Sequence, residues 1–247
     1  MGDQIVTAQS AQGTSQASTA VISSRAKQTQ FTTVTGAANS CVLPLGPILN
    51  ADYTITNKGA FPLFVWPAAG STSSATATMD GVAVAAGPPA VGAAVVPVNG
   101  SATFVCTALN PLTGHTWLSK TEAIRGVVGS DAANTIPAAP GKCYVAVPAV
   151  AANRVYTVSS NTSQACEYNF VVTAVTGGTV TLAFGAGRIR GVTGFSADGT
   201  APTVNGGVAS VIIANGAAAN DTVKATGAAG GYQVQCFVAV NTDVTTA

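Results

Sequence analysis

Glycine, proline and asparagine punctuate this sequence so often that little of it is left for helices. Its 247 residues include 27 glycines and 12 prolines, which cost a helix interior about 1 and about 3 kcal/mol each relative to alanine. Between these breakers lie short runs rich in valine, threonine and aromatics: "FTTVT", "CVLPL", "DYTITN", "FPLFVWP", "GVAVAAG", "ATFVCTA" and "HTWLSK". Short runs of such residues bounded by turn formers are strand signals. No stretch sustains a 3.6-residue apolar period, so the pattern predicts an all-β chain.

A second series follows: "KCYVAVP", "RVYTVSS", "EYNFVVTAV", "GTVTLAF", "ASVIIAN", "DTVKATG" and "YQVQCFVAV". It echoes the first. Cys41-Val-Leu-Pro-Leu matches Cys143-Tyr-Val-Ala-Val at an offset of 102, and Asp52-Tyr-Thr-Ile-Thr-Asn matches Val155-Tyr-Thr-Val-Ser-Ser at 103. Such self-similarity predicts two tandem antiparallel β-sandwich lobes, 31–120 and 136–247, joined by a linker at 121–135. Residues 1–30, a Gln/Ser/Thr/Ala tract, read as a polar arm, extended or disordered.

Within the first lobe, "DYTITNKGAFPLFVW" reads as a hairpin. Tyr53 and Ile55 alternate with Thr54 and Thr56, Asn57 caps the strand end through its side chain, and Gly59 supplies a positive φ. The second strand is apolar on both faces and must be covered on both. Either the second lobe or a neighbouring subunit does so, and the scarcity of charge elsewhere favours a neighbour. Phe61, Leu63, Phe64, Val65 and Trp66, with Tyr168 and Phe170 of "YNFVV" in the second lobe, are accordingly candidate subunit contacts or plain core.

Only 8% of the residues are charged, against about 25% in ordinary globular proteins. Monomers stay soluble largely through surface charge, so this deficit fits a chain that lives inside a larger assembly. The net charge of +1 gives no electrostatic footprint for nucleic acid. Glycine and proline cut every apolar run short of the roughly 20 residues of a spanning helix, so no membrane insertion is expected. The start, "MGDQIVTAQSAQGTSQAS", lacks the basic and apolar segments of a secretory signal, which predicts synthesis in the cytoplasm. Val6 stands where a myristoylation signal needs Ser or Thr.

Side-chain chemistry points away from catalysis. The single histidine, His115, sits in a turn before Trp117, and the nine acids occur one at a time, mostly at turns. The glycine-rich loops lack the helix and the Lys-Ser/Thr that a phosphate cradle needs. The five cysteines sit in apolar strand patterns and read as buried, reduced thiols, with a Cys41–Cys106 disulfide as the alternative. No catalytic, cofactor or metal-binding residues are expected.

The run "ITNKGAFPLFVWPAAG…DGVAVAAG…VNGSATFVCTA…GHTWLSK" (55–120) resembles a segment of structural proteins from tailed phages and large double-stranded DNA viruses. In that group an Asn/Gly turn and a Val-aromatic-Pro strand precede a small Gly-rich loop, a second strand and a terminal Thr-Trp strand. The resemblance implies a non-enzymatic virion component with jelly-roll-like lobes: a decoration, cement or minor capsid (vertex) protein. It further implies partners among its own copies, with a trimer favoured, and among other capsid proteins. A receptor-binding fibre or spike is the alternative, with "GRIRGVTGFSADGT" (187–200) as its exposed loop.

Overall fold

A computed structural model describes residues 4–13, 16, 20–36, 38–71, 77–85, 90–120, 124–136, 141–159, 166–172, 177–185, 188–196, 209–215, 217–218, 221–228, 230–239 and 244–246. These residues form strands and turns and no helix, as the breaker density requires. The chain divides into two compact units, Met1–Val128 and Gly129–Ala247.

The first unit contains β1 (Gln4–Ser10), β2 (Ala26–Thr33), β3 (Ser40–Val42), β4 (Asp52–Asn57), β5 (Leu63–Trp66) and β6 (Thr78–Met79). It continues with β7 (Val82–Ala83), β8 (Ala90–Val96), β9 (Ser101–Ala108), β10 (Thr116–Ser119) and β11 (Arg125–Val128). One sheet runs β1-β2-β4-β9-β10-β6-β7; on the other, the strands run β11-β8-β5-β3. Period-2 alternation turns Phe31, Tyr53, Ile55, Phe104, Cys106 and Trp117 of the first sheet into one buried cluster with Cys41, Leu63, Val65, Ala94 and Val96 of the second.

The second unit contains β12 (Asn134–Ile136), β13 (Gly141–Val147), β14 (Arg154–Val158), β15 (Cys166–Val172) and β16 (Val180–Ala183). It ends with β17 (Ile189–Ser196), β18 (Ser210–Ile213), β19 (Thr222–Ala228), β20 (Gly231–Val238) and β21 (Val244–Thr246). Its strands run β12-β14-β16-β18-β21 and β17-β20-β19-β15-β13. Tyr168, Phe170, Phe184 and Tyr232 form an aromatic cluster with centroids 5.0 to 6.3 Å apart.

Two expectations are corrected. The sheets are mixed, not antiparallel. β2 and β4 pair parallel, as do β3 and β5, β12 and β14, and β13 and β15. The "NKGA" turn also does not close a hairpin: β4 pairs with β2 and β9, whereas β5 pairs with β3 and β8. The reason is topological. In the stretches β2–β5 and β12–β15 successive strands alternate between two sheets, so each pairs with the next but one and in the same direction. A parallel pair needs a crossover connection, and the strand in the opposite sheet supplies it.

Asn57 holds that crossing. Fully buried, it donates from Nδ2 to the carbonyls of Phe61 (2.8 Å) and Val96 (3.1 Å), while its Oδ1 accepts from Gly59 N–H (2.9 Å). Gly59 is not among the residues with positive φ. Its necessity is space: a Cβ there would lie 2.5 Å from Val34 Cβ.

Other segments also differ from the sequence reading. Gln4–Ser10 and Ala26–Thr33, in and beyond the stretch read as an arm, are strands. Arg125–Val128 and Asn134–Ile136 are strands within and beside the expected linker. Ile189–Ser196, within the stretch expected as an exposed loop under the fibre or spike alternative, is a strand paired with β20, and Arg190 donates to the Gly230 carbonyl. Residues 187 and 197–200 of that stretch lie outside the described residues.

Candidate functional site

The outward side of β2, β4 and β9 is a polar field. Alternation brings Thr54, Thr56, Thr103 and Ser101 to this side, opposite the buried Tyr53, Ile55, Ala102 and Phe104. Register places Gln28 beside Thr54 and Thr54 beside Thr103, then Gln30 beside Thr56 and Thr56 beside Ser101. The hydroxyls are coupled across the strands: Thr54 Oγ1 to Thr103 Oγ1 at 3.0 Å, and Thr56 Oγ1 to Ser101 Oγ at 3.2 Å. Cross-strand hydroxyl pairs of this kind are the ordinary stabilising unit of a sheet face. Here they also leave a surface of amides and hydroxyls.

At one end of this field lies a groove of about 430 Å³ lined by Lys27, Gln28, Asn50, Asp52, Thr54 and Lys120. Lys120 Nζ and the Asp52 carboxylate form an ion pair at 2.7 Å, about half exposed on each side. Lys27 Nζ stands 5.3 Å from the centre of the Tyr53 ring, within the range of a cation–π contact. Lys27 is in none of the ion pairs among the described residues. Asn50 adopts a left-handed backbone (φ 59°) two residues before β4, which asparagine tolerates better than most residues.

A second surface feature is apolar. β4 and β9 are antiparallel, so the loop entering β4 and the loop leaving β9 meet at one end of the first unit. His115, itself buried, ties them: its Nδ1 accepts from Asn110 N–H (3.0 Å) and its Nε2 lies 2.9 Å from the Leu45 carbonyl. With Nδ1 accepting, Nε2 carries the proton and donates, so the ring is the neutral Nε2–H tautomer. On these loops Leu45 (61% exposed), Ile48, Leu49, Leu109 and Leu112 (59%) face solvent.

The candidate contact residues lie elsewhere. Leu63, Phe64, Val65, Trp66, Tyr168 and Phe170 have no exposed surface in the chain alone, and only Phe61 is partly exposed. The chain itself covers both faces of β5. Leu63 and Val65 enter the core cluster, and on the other face a Cβ at Gly126 would lie 2.6 Å from the Phe64 ring. Six of the seven are therefore buried within the chain itself. The five cysteines are free and buried. No group of three or more His, Cys, Asp or Glu that could hold a metal ion occurs among the described residues.

Sequence reasoning passed over the groove. Its six residues come from separate segments between 27 and 120, and each looks ordinary in its own stretch. The available signal was scarcity: Lys27, Asp52 and Lys120 are three of only 19 charged side chains, ten basic and nine acidic.

No family model, no characterised protein and no solved structure matches the chain.

Proposed function

We propose that the protein is a non-enzymatic structural component of a virion: a decoration, cement or vertex protein of two tandem β-sandwich lobes that associates with its own copies and with other shell proteins. The observation that carries this reading is the apolar loop end of the first unit. Five large aliphatic residues stand in solvent there, on loops fixed by a buried histidine, in a chain with 8% charge. Contiguous exposed apolar surface on a protein is most often an interaction site. Charge depletion and apolar enrichment mark the centre of interfaces.

The lobe reading draws support from the repeated strand pairing. In the first unit β2–β5, and in the second β12–β15, pair parallel and next but one, and Cys41 in β3 and Cys143 in β13 occupy corresponding strands. The test is quantitative peptide mass spectrometry on purified particles from the source. Hundreds of copies per particle indicate decoration or cement, a few tens or fewer a vertex. Absence from the particle overturns the proposal.

A further inference from the structure

We propose that the groove on the outer side of β2 and β4 is a binding site for a carboxylate-bearing sugar. The inference rests on the groove alone and is independent of the virion reading. Its volume of about 430 Å³ lies within the range of small-ligand sites, about 300–1,000 Å³. Every lining residue is polar, so an apolar ligand would find no surface to bury against. The inventory is instead that of hydroxyl recognition: amides on Gln28 and Asn50, a hydroxyl on Thr54 and a carboxylate acceptor on Asp52. Vicinal hydroxyls each donate and accept, and mixed amide, hydroxyl and carboxylate groups can satisfy both roles.

Charge then selects among hydroxyl-rich ligands. Lys120 is committed to Asp52 at 2.7 Å, and that bridge also holds the carboxylate in place. Lys27 has no carboxylate partner among the described residues, and the Tyr53 ring lies beside its ammonium group. Of the two groove cations, Lys27 is the one without an anionic partner among the described residues. It matches a single carboxylate, whereas a phosphate, with nearly two charges, would call for a second cation or a fork of arginine donors. A carboxylate on Lys27 Nζ, with ring hydroxyls on Gln28, Asn50, Thr54 and Asp52, engages every lining group but Lys120, which stays on Asp52. The neighbouring Thr56–Ser101 hydroxyl row offers a path for a further sugar residue.

The test is titration of the full chain, labelled with ¹⁵N, with sialyllactose, glucuronic acid, lactose and inorganic phosphate. Expected are saturable amide shifts at Lys27, Gln28, Thr54 and Lys120 with one or both acidic sugars. The preferred acid tells a terminal sialic acid from a uronic acid. Affinity for lactose falls by about ten-fold or more, the worth of one charge-assisted hydrogen bond. Lys27→Met removes the preference for the acidic sugar over lactose, while Asp52→Asn releases Lys120 and brings phosphate binding up. Both variants lie on the surface, and an unchanged melting temperature verifies their folding. No saturable shift with either acidic sugar overturns the site. Phosphate binding as tightly as the acidic sugars to the unmodified chain overturns the sugar assignment, as does a Lys27→Met chain that still prefers them.

Discussion

Asn57 joins three backbone groups: the Phe61 and Val96 carbonyls and the Gly59 N–H. All lie where the chain leaves one sheet for the other, and water does not reach the side chain. Replacing it with alanine strands those groups, each worth about 1–3 kcal/mol when buried and unpaired. We expect Asn57→Ala to cost about 3 kcal/mol or more, read as a lowered urea midpoint at unchanged slope. Gly59→Ala acts through space, forcing a methyl into Val34; overpacking of this kind costs about 1–3 kcal/mol. Both substitutions act on the same crossing, so the double variant should depart from additivity. Thiols give a different readout. Burial raises the Cys41, Cys106 and Cys166 thiols and pushes Cys236 up to about 12. The thiolate is the reacting form. The folded chain should therefore react slowly with a disulfide reagent at neutral pH, and the unfolded chain should release five equivalents. Rapid stoichiometric reaction of the folded chain would contradict this burial.

At the scale of elements, strand existence was legible and strand partnership was not. Alternation of Tyr53 and Ile55 with Thr54 and Thr56 marks β4 whichever strands lie beside it. "NKGA" reads the same whether the following strand returns along its neighbour or crosses to another sheet. What decides is where β5 finds its partners: β8 and β3 pair with it and Gly126 of β11 sits against the Phe64 ring, all from other segments of the chain. The apolarity of "FPLFVW" on both faces was the visible clue. It pointed correctly to double coverage and left open whose surface supplied it. The groove was illegible for a related reason: strands from separate segments assemble it, and no local motif precedes it. In the second unit, the turn before β12 is tied to β14 by Asp131, whose carboxylate accepts from Arg154 Nε (2.6 Å) and Ala151 N–H (3.2 Å). The Arg154 hydrogen bond, then the Ala151 one, hold Asp131 below the usual carboxylate range. A depressed folded-state pKa contributes stability above the unfolded aspartate value, and that contribution is lost as pH falls through the folded one. The stability difference between the unmodified chain and Asp131→Asn should thus be largest near neutrality and shrink in acid. A difference that grows in acid would reverse the assignment.

For the whole molecule, the balance between charge and exposed apolar surface sets what the chain can be in solution. A protein with net charge +1 and 8% charged residues has little electrostatic repulsion to keep copies apart. Exposed apolar area then decides association, and in the first unit it is concentrated on the loops before β4 and after β9. Leu45 and Leu112 are the most exposed of the five leucine and isoleucine side chains there. They pack little inside the chain, so a charge at either position costs the fold little, while a charge buried unpaired in an interface costs several kcal/mol. Leu45→Asp and Leu112→Asp should therefore leave the melting temperature of the isolated chain nearly unchanged and shift its mass in sedimentation toward the monomer. His115→Ala separates surface from scaffold. It keeps every exposed leucine but removes the ring that joins the Asn110 N–H to the Leu45 carbonyl. It should lower stability by about 1–3 kcal/mol and weaken association only as the loops lose their shape. If the two aspartate variants sediment as the unmodified chain does, in an oligomer of the same mass, the loop end is not the contact between copies. If the unmodified chain is itself monomeric at all concentrations, self-association fails as part of the assembly reading.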